Sequence, residues 1–139
     1  MILTTPQERK ALLERSTSVA VVGASPKEDR PSHGVFAYLR AQRYDAVPIN
    51  PAVAEVLGVR AFASLRDYAA QHGAPDIVDV FRKAEDVLPI VDEAIAVGAR
   101  AIWFQLGIVN DEAIARADAA GLDVVVDRCI EIEHHALLS

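Results

Sequence analysis

The chain has 139 residues, 52% of them apolar, and its 20 acidic and 14 basic side chains leave a formal charge of −6. That size suits one compact domain with a real core, and a lone Cys129 excludes an internal disulfide, which fits a reducing compartment. No apolar run approaches the roughly 18 residues that span a bilayer, and the N-terminal stretch is polar, so a cytoplasmic protein with no membrane partner is expected. No stripe of Lys and Arg could neutralise a row of phosphates, which argues against nucleic acid; any anionic ligand must meet a local basic patch.

Thr5 can cap a first helix, with Pro6 at its first position and Glu8 three residues past the cap, running to about Arg15. Residues 18–23 (SVAVVG) form a short, β-branched apolar run that stops at glycine, as a buried parallel strand does. A second helix is predicted over 34–43, with Val35, Tyr38 and Leu39 on one face. Residues 45–50 (DAVPIN) read as a second strand, which Pro48 pushes toward an edge because it lacks an N–H. The stretch 59–68 is ambiguous, with room for a short extra strand before a helical turn.

Residues 76–81 (DIVDVF) give a third strand, followed by a helix over about 85–97 that Gly98 ends. A strand at 101–105 (AIWFQ), a helix at 111–120 ended by Gly121 and a strand at 123–126 complete the pattern. Regular alternation implies parallel pairing with right-handed crossovers: a Rossmann-like, doubly wound α/β domain of about five strands in three layers.

In such a sheet a ligand lies at the carboxyl ends of the strands, near the point where strand order reverses. Those ends read Gly23-Ala24-Ser25-Pro26-Lys27, Asn50-Pro51, Phe81-Arg82-Lys83, Gln105-Leu106-Gly107 and Asp127-Arg128-Cys129. The first is the strongest signal. Gly23 permits a sharp turn, Ser25 offers a hydroxyl, and Gly34 permits close approach near the next helix, whose terminal N–H groups favour a phosphate. Lys27, Arg30 and His33 add positive charge. The competing reading of Gly23 and Gly34 is ordinary strand and helix punctuation.

The pattern is not the GxGxxG fingerprint, since Gly23 and Gly34 are too far apart and one glycine is missing. A dinucleotide site also places Asp or Glu at the end of strand two for the ribose, whereas this strand ends Ile49-Asn50-Pro51, and Asp45 lies at its far end. A ribose 3′-phosphate would be repelled by a carboxylate there and accepted beside Asn50. The residues disfavour NAD.

Together the segments VVGASPKEDRPSHGV, VPINP, DIVDVFRKAE, AIWFQLGI and VVVDRCIEIEH resemble the small stand-alone CoA-binding domain proteins, similar in fold to the N-terminal domain of the succinate–CoA ligase α subunit. The resemblance implies that Gly23, Ala24, Ser25 and Arg30 contact the nucleotide phosphates. It implies Asn50 and Pro51 at the adenosine end, and Phe81, Arg82, Gln105 and Leu106 along a groove that takes coenzyme A or an acyl-CoA. The ligase family's catalytic histidine belongs to a second domain, so its activity does not carry over.

Other constellations favour structural roles. One thiol and the adjacent His134 and His135 make a poor metal site. Asp76, Asp79, Glu85 and Asp86 resemble an acid–base set, but Glu85 and Asp86 are expected to open a helix, where carboxylates suit the dipole. Trp103 and Phe104 should pack into opposite layers, and Cys129 is expected to be a buried, inert thiol, the alternative being a mixed disulfide with the pantetheine thiol under oxidation. Arg82, at a strand's ligand end, suits a phosphate. With no nucleophile, base and orienting group together, a non-catalytic binding module is expected, with or without an unknown protein partner. The alternatives are an NAD(P)-type oxidoreductase and the CoA-binding subunit of a multi-chain ligase.

Overall fold

The computed structural model describes residues 1–138. In chain order its elements are α1 (Pro6–Arg15), β1 (Ser18–Val22), α2 (Pro31–Ala41), β2 (Asp45–Ile49), β3 (Glu55–Val56) and β4 (Val59–Arg60). There follow α3 (Leu65–His72), β5 (Ile77–Val80), α4 (Leu88–Ala96), β6 (Ala101–Phe104), α5 (Asp111–Ala119), β7 (Asp123–Val125) and α6 (Ile130–Leu138). Five strands form one parallel sheet in the order β2-β1-β5-β6-β7, and β3 pairs with β4 as a separate antiparallel hairpin. The chain steps outward from β1 to β2, then returns past β1 to lay down β5, so the order reverses between β1 and β5. That is the switch point where an open α/β sheet leaves a crevice. Val22 is level with Ile49 and Val80, and Val80 with Phe104, so four strands deliver their carboxyl ends side by side.

Strand alternation sends side chains to two cores. Ala20, Val22, Val47, Val78, Val80, Ile102 and Phe104 pack with Leu65 and Tyr68 of α3, Val91 and Ala94 of α4, and Ala113 and Ala117 of α5. Val19, Val21, Ala46, Ile77, Ala101 and Trp103 pack with Leu12 and Leu13 of α1, Val35, Phe36 and Leu39 of α2, and Ile130 of α6. Trp103 and Phe104 thus fall in opposite layers, as the alternation predicts. Fully burying a side chain of this size contributes about 1.5–3 kcal/mol, which is why nearly every sheet position is apolar.

Several boundaries differ from the sequence reading. Helix α2 starts at Pro31, which occupies its first turn, so Gly34 lies inside the helix. Helix α4 starts at Leu88; Glu85 and Asp86 sit in a separate 3₁₀ turn, Ala84–Asp86, and do not open the helix. The ambiguous stretch resolves into the β3–β4 hairpin and α3, and Phe62 bridges to Ile49 outside the hairpin. Pro48 does lie in an edge strand, and its carbonyl accepts a hydrogen bond from the Phe62 N–H. The C-terminal α6, unassigned from periodicity, closes the second layer against α1.

Asp79 breaks the apolar rule. It sits in the central strand β5 at 0% exposure, and neither carboxylate oxygen has a hydrogen-bond partner among the described residues. Its register partners Val21 and Trp103 belong to the α1/α2/α6 layer, so its carboxyl lies in that apolar core. Burial raises its pKa well above the usual carboxylate range. The folded chain therefore keeps a proton that the unfolded chain loses above pH ~4, and stability falls as pH rises from there toward the folded-state pKa. Asp79→Asn removes this titration: its stability relative to the native chain should grow by about 1.4 kcal/mol per pH unit across that interval. Urea denaturation of both chains between pH 4 and pH 8 measures this, and parallel profiles would refute it.

Candidate functional site

The level carboxyl ends of β1, β2, β5 and β6 border a groove of about 1030 Å³. The β1 loop supplies Gly23, Ser25, Pro26, Lys27 and Arg30, and the first turns of α2 supply Pro31, Ser32 and Val35. Asn50, Pro51, Ala52 and Val53 come from the β2 side, Phe81, Arg82 and Lys83 from β5, Gln105, Leu106 and Ile108 from β6, and Cys129 from the approach to α6.

Gly23 fixes the centre of this floor. Its N–H continues the ladder to the Ile49 carbonyl at 2.9 Å, and its φ of +89° is one that L side chains rarely adopt. An added Cβ would stand 2.7 Å from the Phe81 carbonyl oxygen and 3.3 Å from Arg82 Nε, so the β1 and β5 loops meet only because this residue has no side chain. The loop then folds on its own polar groups. Ser25 donates its N–H to Ser32 Oγ, its hydroxyl accepts from the Lys27 N–H, and its carbonyl accepts from His33 Nδ1. No side chain caps α2, whose N-terminus opens on the groove.

The residues expected at the site therefore divide. Gly23, Ser25, Pro26, Lys27, Arg30, Asn50, Pro51, Phe81, Arg82, Gln105 and Leu106 line the groove. Ala24, His33 and Gly34 do not: Ala24 is fully buried, His33 is tied to Ser25, and Gly34 has open space where a Cβ would point. Asn50 is committed to the scaffold, since its Nδ2 donates to the Ala24 carbonyl and its Oδ1 accepts from the Ala52 N–H. Cys129 is half-buried and lines the groove, where a wholly buried thiol was expected. Lys83, Pro31, Ser32, Val35, Ala52, Val53 and Ile108 line the groove without having been assigned to the site from sequence. Lys83 was legible, being next to Arg82; Pro31 and Ser32 were hidden by placing the start of α2 too late, and Val35 was read only as a face of the helix.

On the β6 side, Gln105 is buried and its Oε1 accepts the Ile130 N–H at the start of α6. Asp127, held at φ 58°, accepts the Gly107 N–H at 2.7 Å. These bonds fix one loop against the next.

The electrostatics are one-sided. Lys27, Arg30, Arg82 and Lys83 line the groove and, among the described residues, no Asp or Glu does, in a chain of net charge −6. Arg9, Arg15, Arg100, Arg116 and Arg128 each pair with a carboxylate elsewhere, while none of the four groove cations forms an ion pair among the described residues. The arrangement can hold a long polyanion against backbone N–H groups and fixed cations.

Residues 17–135 match a family model described as a CoA binding domain. The uncharacterized protein YneT of Bacillus subtilis (strain 168) is 39% identical over 127 residues, covering 91% of this chain and 92% of its own. A solved hypothetical protein from Pyrococcus horikoshii OT3 superposes with a TM-score of 0.93 at 38% identity, covering 98% of this chain and 94% of that one. The acetyl-coenzyme A synthetase 1 of Ca. Korarchaeum cryptofilum shares the fold, at a TM-score of 0.67 and 22% identity over 78% of this chain and 25% of its own.

The two glycines singled out by sequence should respond oppositely to alanine. Gly23→Ala combines an unfavourable φ with a backbone collision and should cost about 2 kcal/mol or more. Gly34→Ala, on an exposed helix position with nothing within 4 Å, should stabilise the fold by about 0.5–1 kcal/mol. Urea midpoints of the two variants test the assignment, and equal effects would contradict it.

Proposed function

Because the chain belongs to the CoA-binding domain family, we propose that it binds coenzyme A, or an acyl-CoA, along this groove and does not turn it over by itself. The observation that carries the reading is charge: among the described residues, four unpaired cations and no carboxylate line the groove of an acidic protein. A pyrophosphate would lie between the Gly23 turn, the N-terminus of α2 and Arg82, where N–H groups and guanidinium converge. The adenosine end would run toward Asn50, Pro51 and Val53, and the pantetheine toward Leu106, Ile108 and Cys129. The volume stands at the upper end of small-molecule sites, which suits an extended ligand.

NAD fits less well, since no carboxylate at the end of β2 waits for a ribose diol. The non-catalytic reading draws on the groove lining, where Ser25, Ser32 and Cys129 stand with no histidine or carboxylate among the described lining residues. The protein is read as a cytoplasmic binding module that presents its ligand to other components. No helix among the described residues is long and apolar enough to cross a membrane.

Titration calorimetry with CoA and NAD on the native chain and on Arg82→Ala and Arg30→Ala tests the ligand. CoA should bind more tightly than NAD, and Arg82→Ala should weaken CoA about tenfold or more with the fold intact, because a charge-assisted phosphate contact is worth about 1.5–3 kcal/mol. Equal binding of NAD, or indifference to both arginines, would overturn the assignment. Incubation with ATP, CoA and a panel of short acids should yield no thioester above background, and sustained turnover would contradict the non-catalytic reading.

A further inference from the structure

A second pocket of about 460 Å³ adjoins the groove and shares Asn50, Pro51 and Val53 with it, so the β2 loop is the partition between the two. Its remaining wall comes from the end of the hairpin and from α3: Arg60, Ala61, Phe62 and Ala63, then Asp67, Ala70 and Gln71. We propose that this pocket reads the ribose 3′-phosphate of the bound nucleotide, Arg60 favouring that group and Asp67 opposing it. Their balance then sets how strongly the site prefers CoA to dephospho-CoA. The inference rests on the CoA reading above.

The groove's own cations cluster around the β1 loop, the start of α2 and the β5 loop, at its middle. Its β2 side offers Asn50, Pro51, Ala52 and Val53, none of them charged, and both ends of the Asn50 amide are already bonded to backbone. Among the described residues, the β2 wall of the groove therefore contributes no charged side chain to a phosphate on the ribose of a nucleotide whose pyrophosphate occupies the middle. Arg60, across the β2 partition, is the one cation among the described residues lining the adjoining pocket.

The position of Arg60 is built for this task. Its guanidinium carbon stands 4.8 Å from the centroid of the Phe62 ring. That ring is buried, and its backbone is anchored on both sides, by Phe62 N–H to Pro48 and by Asn50 N–H to Phe62. Stacking orients the guanidinium plane without consuming its N–H donors, and no carboxylate pairs with it among the described residues. Asp67 is in the first turn of α3, exposed, and also lines the pocket. The two opposite charges make the pocket nearly neutral at long range, so discrimination arises only for an anion placed at close quarters.

The readout is the ratio of the dissociation constants of dephospho-CoA and CoA, by calorimetry at fixed ionic strength. Arg60→Ala should weaken CoA about tenfold and leave dephospho-CoA unchanged, bringing the ratio down by the same factor. Arg60→Lys should keep part of it, and Asp67→Asn should raise it about two- to threefold by removing a nearby like charge. Arg82→Ala should weaken both ligands equally and leave the ratio as it was. Matching melting curves exclude unfolding as the cause. A ratio unmoved by Arg60→Ala, or equal weakening of both ligands in that variant, would overturn this proposal while the CoA reading stands. A native chain that binds neither ligand would overturn both.

Discussion

A parallel sheet with helices on both faces leaves little room for chemistry except at its rim. Strands β1, β5 and β6 are flanked by neighbours and covered above and below, so a polar side chain within them must be paired or made neutral. The apolar runs Val19–Val22 and Ala101–Phe104 follow from that constraint. Asp79 shows its force: lacking any partner in the core, the carboxyl is driven to its protonated form. Polar groups are accordingly displaced to the loops that leave the carboxyl ends, and because β1 leads to α2 on one face and β5 to α4 on the other, those loops diverge beyond their contact at Gly23 and leave a groove.

The rim is rigid for reasons that can be named bond by bond. Gly23 brings two loops into backbone contact, Ser32 and Asn50 hold the β1 loop to α2 and to β2, and Gln105 and Asp127 hold the β6 loop to the chain entering α6. Side-chain to backbone bonds of this kind fix loops before a ligand arrives, which lowers the ordering entropy of binding. Asn50 and His33 belong to this scaffold. A polar residue at a strand end is thus as readily a clamp as a contact, and only its partners distinguish the two.

Charge is distributed to the same end. The excess of acidic residues gives the surface a negative field that repels anions in general, while arginines away from the groove are mostly held by carboxylates. Lys27, Arg30, Arg82 and Lys83 have no ion-pair partner among the described residues and line one groove. Over a screening length of about 8 Å at physiological salt they dominate the local potential whatever the net charge of the chain. The groove is therefore where an approaching anion meets a favourable potential.

The sequence by itself determined the layer architecture, because alternation of β-branched runs with amphipathic stretches dictates parallel strands and crossovers. It also located the rim, and with it Gly23, Ser25, Arg30, Arg82 and Gln105, since glycines and cations after apolar runs stand out locally. Short-range signals cannot report which side chains meet across the fold. Only the tertiary structure decided that Gly34 lies idle within α2, that Asn50 is spent on backbone, that Cys129 reaches the groove, and that Arg60 stacks on Phe62 beside a second pocket. Each of these depends on residues far apart in the chain being brought within a few ångströms, and that proximity is set by strand order and register, which periodicity does not encode.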